Sequence, residues 1–352
     1  MNYESIRSLI FKLDPEVAHK LLEKGLCFTD KFFPFILSYI GNKCIVDDDS
    51  LKQNLFGLNF NTPVGLAGGF DKNAKMSKAL ANLGFSFIEI GTFTPLAQEG
   101  NAKPRVFRLV EEESIQNAMG FNNDGKDKIA QRMSKIYPFC IPLAASIGKN
   151  KNTPNDKAYE DYFILFKEFK DLCDYFVVNI SSPNTKDLRD LQSEEFIDHL
   201  FSGAKEITNK PIIIKIAPDM EEHLAISICQ KAIECGASGV IIANTSTDYS
   251  LINNGRTFGG ISGKLIQEKS GKFFKALAKE LFSHTTLIAS GGIDSAEIAY
   301  DRIKNGASLI EVYTALIYKG PFLVKHINKK FIELLRKDGF LHINDAIGAN
   351  LK

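Results

Sequence analysis

The chain contains no tryptophan, and its six cysteines, Cys27, Cys44, Cys140, Cys173, Cys229 and Cys235, stand far apart. No CxxC pair and no Cys/His metal spacing occurs, so no metal site is expected. Isolated thiols in apolar context fit a reducing cytosol better than a disulfide framework. No apolar run is long enough to cross a bilayer. Glu4, Arg7, Lys12 and Asp14 interrupt any signal-peptide core at the N-terminus. Charge of one sign is also missing: 43 Lys+Arg against 42 Asp+Glu leave a formal net charge of +1. No basic run is interleaved with aromatics, so no nucleic-acid partner is expected. A GxGxxG turn followed by a ribose-binding acid is absent, which argues against a dinucleotide fold.

What the chain does have is length, core material and a regular beat. Its 352 residues are 44% hydrophobic. Apolar β-type runs recur at Pro63–Ala67, Phe85–Gly91, Ile141–Ile147, Tyr175–Ile180, Pro211–Ala217, Gly239–Asn244, Thr286–Ser290 and Ser308–Tyr313. Amphipathic stretches lie between them, such as Ala74–Leu83, Ala158–Leu172, Glu221–Glu234 and Ser295–Asn305. Such alternation predicts parallel strands with helical crossovers. Eight strands is the count of a closed (β/α)8 TIM barrel, with a doubly wound open sheet as the other possibility. Arg105–Val110 and Ser114–Met119 read as a hairpin over the barrel mouth, ending in Asn117-Ala118-Met119-Gly120-Phe121.

Residues 1–42 read as a separate helical unit, and 43–352 as the barrel. Ile6, Leu9, Ile10 and Leu13 share one face of a first helix. Asp14-Pro15-Glu16 supplies an N-cap, an N1 proline and an acidic first turn for a second, with Val17, Leu21 and Leu22 on its apolar face. The run Phe32-Phe33-Pro34-Phe35-Ile36-Leu37 follows. The unit is either a cap packed on the barrel or an amphipathic hairpin in a membrane interface.

In a barrel the chemistry sits where strands end. The fourth strand ends in Asn179-Ile180-Ser181-Ser182-Pro183-Asn184. Two carboxamides flanking a hydroxyl can fix a planar polar ring while the hydroxyl handles a proton. The first strand is followed by Gly68-Gly69-Phe70-Asp71-Lys72, where glycines admit a flat ligand beside a positive charge. Gly91-Thr92 and Ser146-Ile147-Gly148 end the second and third. Lys215 lies inside an otherwise apolar fifth strand, a position that calls for a partner or a ligand gaining negative charge. Ala243-Asn244-Thr245 ends the sixth, and the loop after it carries Gly259-Gly260-Ile261-Ser262-Gly263. Gly291-Gly292 and Tyr313-Thr314 end the seventh and eighth, the usual phosphate pocket of this fold. A phosphorylated cofactor at an open barrel mouth, without the dinucleotide fingerprint, favours FMN.

At these residues the chain resembles dihydroorotate dehydrogenase, in its membrane-associated, quinone-using class. The likeness runs from Leu13-Asp14-Pro15-Glu16 through Val312-Tyr313-Thr314. Its most specific pieces are Gly69-Phe70-Asp71-Lys72, Ile88-Glu89-Ile90-Gly91-Thr92, Lys103-Pro104-Arg105 with Phe107-Arg108, Asn117 through Asn123, Asn179 through Asn184, Lys215-Ile216-Ala217-Pro218-Asp219 and Gly291-Gly292-Ile293. The resemblance implies one FMN on Gly68, Gly69, Phe70, Asp71, Lys72, Thr92, Ser146, Asn179, Lys215, Ala243 and Gly263, with its phosphate at Gly292, Tyr313 and Thr314. It implies dihydroorotate held by Lys72, Asn117, Ala118, Met119, Gly120, Phe121, Asn179, Asn184, Asn244 and Thr245. Ser182 becomes the base, where soluble classes carry Cys. A serine base needs a relay, so a water path or a neighbouring hydroxyl is expected to assist it. His19 and Arg108 match positions lining a quinone tunnel, which favours the membrane reading of the first helices. The implied product is orotate for pyrimidine biosynthesis, with quinone as co-substrate. The implied setting is a monomer or weak oligomer, peripheral on the cytoplasmic face of the cell membrane. Ser146, Ala243 and Thr314 depart from the pattern's usual Asn, Thr and Ser. Two other readings stay open: an FMN barrel using a soluble acceptor, and a non-catalytic barrel binding a phosphate ligand at a membrane.

Overall fold

The computed structural model describes residues 3–253 and 255–352; residues 1 and 2, part of the expected N-terminal unit, lie outside the described residues, as does 254. Three helices come first: α1 (Tyr3–Ile10), α2 (Pro15–Phe32) and α3 (Pro34–Cys44). The Asp14 carboxylate accepts from the Glu16 and Val17 amides with Pro15 at N1, so the second helix starts where the capping pattern puts it. Phe33-Pro34 divides the apolar run between two helices, because proline starts a helix more readily than it continues one. α3 runs on to Cys44 and buries Leu37, Gly41 and Cys44, whereas α1 and α2 bury no residue fully.

Thirteen strands follow: β1 (Gln53–Leu55), β2 (Leu58–Phe60), β3 (Val64–Leu66), β4 (Ile88–Phe93), β5 (Val106–Leu109), β6 (Ser114–Asn117), β7 (Leu143–Ile147), β8 (Tyr175–Asn179), β9 (Ile212–Ile216), β10 (Gly239–Ile242), β11 (Gly260–Gly263), β12 (Thr286–Ser290) and β13 (Ala307–Val312). Eight of them close into a barrel in the order β10-β12-β13-β3-β4-β7-β8-β9. Its ladders are parallel throughout. These are the eight expected strands, and the closed order excludes the open-sheet alternative. They are nearly all buried because helices cover the outside and side chains fill the inside.

Two additions depart from the sequence reading. The antiparallel pair β1–β2 plugs the bottom of the barrel. Phe60, with Leu55, Phe56 and Leu58, packs there on Phe87, Tyr175, Ile213, Ile241, Ile288 and Leu309. At the top, β5 and β6 form the expected hairpin. The segment Gly260–Gly263, read as loop, is a third strand paired with β6. Gln116 pins it further, its Nε2 donating to the Arg256 and Phe258 carbonyls.

Candidate active site

Strand ends and their loops bring most of the singled-out residues to the mouth of the barrel. β8 delivers Asn179, and its Nδ2 donates to Thr92 Oγ1 at the end of β4 (2.9 Å). Thr92 Oγ1 meets Ser146 Oγ of β7 at 3.1 Å. On the other side Asn244, just beyond β10, donates from Nδ2 to Ser181 Oγ (3.0 Å) and to Asn179 Oδ1 (3.3 Å). Four strand ends are therefore tied by carboxamides and hydroxyls. Ser146 reaches Thr92 directly, so the departure from Asn leaves no break in this chain. Ala243 is buried, and its amide donates to the Ser290 carbonyl.

Ser182 is 7% exposed. Its Oγ accepts from the Asn184 amide at 3.3 Å. No other hydrogen bond to that oxygen occurs among the described residues, so of the two expected aids, a water path or a neighbouring hydroxyl, the hydroxyl is not hydrogen-bonded to it. Asn184 Nδ2 donates to Asn117 Oδ1 (3.0 Å), which joins this loop to β6. The carbonyls of Ala118 and Met119 accept from Asn101 and Arg105, and those of Gly120 and Phe121 accept from Gln98. The Ala118 amide donates to the Arg105 carbonyl, which leaves the amides of Met119, Gly120 and Phe121 for a ligand.

Lys72 lines the same mouth, its Nζ donating to Asn122 Oδ1 at 2.8 Å. Burial pushes its pKa down to about 7; the nearby Arg105 adds to the effect and Glu16 opposes it. Asp71 is spent differently. Its two oxygens accept from the amides of Asn73, Lys75 and Met76 and from Ser77 Oγ, so the carboxylate caps the following turn. Gly68, Gly69 and Phe70 stand beside it. Tyr313 Oη donates to the Gly69 carbonyl (3.5 Å), and Phe70 meets Tyr313 edge-on at 5.5 Å. His19 of α2 meets the other side of Phe70 edge-on at 5.3 Å. Burial, then the Lys72 charge, lower the His19 pKa. Arg108 of β5 reaches the link between α1 and α2, donating to the Phe11 and Leu13 carbonyls with its guanidinium 4.6 Å from the Phe11 ring.

Gly292 and Thr314 end neighbouring strands, β12 and β13. Thr314 Oγ1 donates to Ser262 Oγ (2.8 Å), and a Cβ on Gly263 would come within 2.8 Å of the Thr314 methyl. Gly263 and Gly292 have φ of +97° and +68°, which glycine adopts without strain.

The sequence reading missed three features. Lys215 Nζ has two carboxylate partners inside the barrel, Glu89 Oε2 at 2.7 Å and Glu311 Oε2 at 2.9 Å. Each glutamate interrupts an apolar strand, the same signal that singled out Lys215. Arg189 is the second. Its guanidinium donates to the Ser181 and Thr245 carbonyls, to Asp219 Oδ2 and to Thr247 Oγ1. It thereby joins the loop of Ser182 to the ends of β9 and β10. Burial works against the ionised Asp219, but Lys269, Ser246 and the Thr247 amide outweigh it and hold the carboxyl at about 2. The third is Arg105, 5% exposed and paired through Nε and Nη2 with Glu16 of α2. No local pattern marks Arg189, and Lys103-Pro104-Arg105 marks Arg105 without its partner Glu16.

Comparison with known proteins agrees with this architecture. The sequence model of a family described as dihydroorotate dehydrogenase matches residues 50–335. A protein of Nitratiruptor sp. named dihydroorotate dehydrogenase (quinone) is 55% identical over 352 residues, all of this chain and all of that protein. A protein of the same name from Helicobacter acinonychis is 45% identical, again over the full length of both. Among solved structures, one of DHODH from Eimeria tenella in complex with ferulenol superposes with a TM-score of 0.83 at 34% identity, covering 96% of each chain.

Proposed function

The chain belongs to the dihydroorotate dehydrogenase family, and we propose that it oxidises (S)-dihydroorotate to orotate with a quinone as final acceptor. It is an oxidoreductase of the quinone-dependent kind, and its cofactor is a flavin. An acceptor-soluble variant of the barrel is not favoured, since relatives matched over their full length carry the quinone name.

The observation that carries the chemistry is the network about the Ser182 loop: the Asn184 amide donates to Ser182 Oγ, Asn184 is tied to Asn117, Asn244 to Asn179 and Ser181, and Lys72 to Asn122. Asn184 Oδ1 and Thr245 Oγ1 are buried with no hydrogen-bond partner among the described residues. Buried acceptors and hydroxyls are costly to leave unpaired, so they suit the N–H and C=O edges of a dihydropyrimidine. The Lys72 ammonium suits its carboxylate. Ser182 Oγ takes the proton from ring carbon 5. The Asn184 amide fixes one lone pair of that oxygen and supports the charge it gains. With no second hydroxyl in contact, the serine proton leaves by water.

The cofactor is FMN in this reading. Support comes from the cradle residues themselves: positive-φ glycines at 69, 263 and 292, the hydroxyls of Thr92, Thr314 and Ser262, and the buried ammonium of Lys215. Bound FMN supplies the acceptor for the hydride leaving ring carbon 6. Gly68, Thr92, Asn179, Lys215 and Gly263 hold its ring system, and Gly292, Tyr313 and Thr314 its phosphate.

The helices of residues 1–42 form the quinone entrance and a membrane-resting surface. Leu9, Leu13, Val17, Leu21, Leu22, Phe28, Phe32 and Phe35 are all more than 40% exposed. These exposed side chains support peripheral association, and no described helix is long and apolar enough to cross a membrane. His19, touching Phe70, and Arg108 face the quinone path. The protein rests on the cytoplasmic face of the cell membrane as a monomer or weak oligomer.

Anaerobic addition of dihydroorotate to the purified yellow protein tests the reading. The flavin absorbance should bleach and return on adding a quinone. A protein that holds no flavin after reconstitution, or one that dihydroorotate leaves oxidised, contradicts it.

A further inference from the structure

Lys215, Glu89 and Glu311 come from β9, β4 and β13, none of which neighbours another in the barrel order. Their side chains therefore meet inside the barrel, and all three residues are 4% exposed or less. One ammonium lies between two carboxylates, at 2.7 and 2.9 Å. If both carboxylates were ionised, the cluster would keep one uncompensated negative charge away from water, an arrangement proteins avoid by taking up a proton. The other titratable group facing this pair is Tyr175 of β8, whose ionisation is pushed far up by burial and by both glutamates, so it stays neutral.

The two carboxyls are not equivalent. Burial raises the Glu311 carboxyl to about 8, Glu89 adds to the rise, and Lys215 opposes it. Burial also acts on Glu89, but Lys215 and the hydrogen bonds it receives hold it below the usual carboxylate range. Glu89 has a second role in the geometry. Its carboxylate lies against Gly68, where an added Cβ would collide with it. The cluster thus lies directly beneath the Gly68 turn, where the flavin reading places the ring.

We propose that Lys215, Glu89 and Glu311 form a one-proton triad under the flavin, with Glu311 as the neutral acid that keeps the floor uncharged and sets the flavin's reduction potential. The second half of this statement rests on the flavin reading above. A neutral Glu311 leaves one ammonium and one carboxylate beneath a ring that gains negative charge on reduction. Ionising Glu311 adds a negative charge there and disfavours reduction. Glu89 and Glu311 act through Lys215, as positioning and tuning residues.

Two readouts test this. Infrared difference spectra between pH 6.5 and 9.5 should show a buried carboxylic acid C=O band that is lost with a midpoint near pH 8. The band should vanish in Glu311→Gln, and in Glu89→Gln, which removes a charge that raises Glu311, its midpoint should move to lower pH. No such band in the unmodified protein, or one that survives Glu311→Gln, overturns the triad, and this readout works with or without flavin. The second readout is the flavin midpoint potential against pH in the holoprotein. It should fall more steeply above about pH 8 in the unmodified protein, and Glu311→Gln should remove that break. If the band behaves as stated but both proteins follow the same potential curve, the tuning role fails while the proton assignment stands. If no flavin binds, the function reading fails and the infrared band alone decides the triad.

Discussion

The barrel mouth and the N-terminal helices obey opposite rules. At the mouth, polar groups are buried and nearly all are matched: carboxamide to hydroxyl, guanidinium to carbonyl, ammonium to two carboxylates. On the helices, large apolar side chains face outward and α1 and α2 bury none of their residues fully. A monomer in water rarely leaves so many large apolar groups together on one surface. On the proposed function, the contrast separates the two halves of one reaction. The matched polar site suits a small, charged, hydrogen-bonding substrate. The unmatched apolar surface suits an electron acceptor dissolved in lipid. The two meet at a single stack of rings, His19, Phe70 and Tyr313.

The largest expected effect breaks the two regions apart. Removing residues 1–40 should abolish quinone reduction while dihydroorotate still reduces a soluble dye. Quinone turnover that survives the deletion would contradict the division of labour. Next in size is Arg189→Ala, which frees the Ser182 loop from β9 and β10. Small misplacements of a catalytic group cost up to about 100-fold in rate, so flavin reduction should slow by roughly 10- to 100-fold. FMN content should not change, and Arg189→Lys should restore part of the rate. An unaltered reduction rate in Arg189→Ala would remove this residue from the account.

Lys72 sharpens the polar side. Its pKa near 7 lies well below that of a free lysine, so the folded protein gives up this proton first. Below pH 7 both folded and unfolded chains hold it. Between about 7 and 10 the unfolded chain binds it more, so the stability cost of burying the charge is relieved as pH rises. Binding runs the other way. A carboxylate ligand needs the ammonium, so orotate affinity should fall above pH 7 by up to about tenfold per pH unit. Lys72→Arg stays charged and should flatten that dependence, as equilibrium titrations would detect. The smallest effect on turnover belongs to the join between the regions. Glu16→Gln should lower stability in urea by roughly 1.5–3 kcal/mol, the range for a hydrogen bond to a charged group.

Much of this was legible in the residues. The barrel strands are mostly apolar runs, a signal that survives without tertiary information. Asp14 and Pro15 mark the start of α2 because capping is local chemistry. Motifs such as Asn179 through Asn184 announce themselves because small polar residues interrupt a strand. What stayed hidden was pairing over distance. Gly260–Gly263 has the composition of a loop and becomes a strand only because β6 offers it an edge. Arg189 and Arg105 look like surface charges until the chain brings Asp219 and Glu16 to them. Glu89 and Glu311 are instructive in another way. The reasoning that flagged Lys215 applies equally to them, and three buried ionisable side chains in one barrel imply one another.

Single-turnover flavin reduction in Ser182→Ala tests the central claim most directly. The account predicts a slowing of about 100- to 10,000-fold, the usual worth of a positioned base, with FMN bound as before. Reduction at close to the unmodified rate would contradict it.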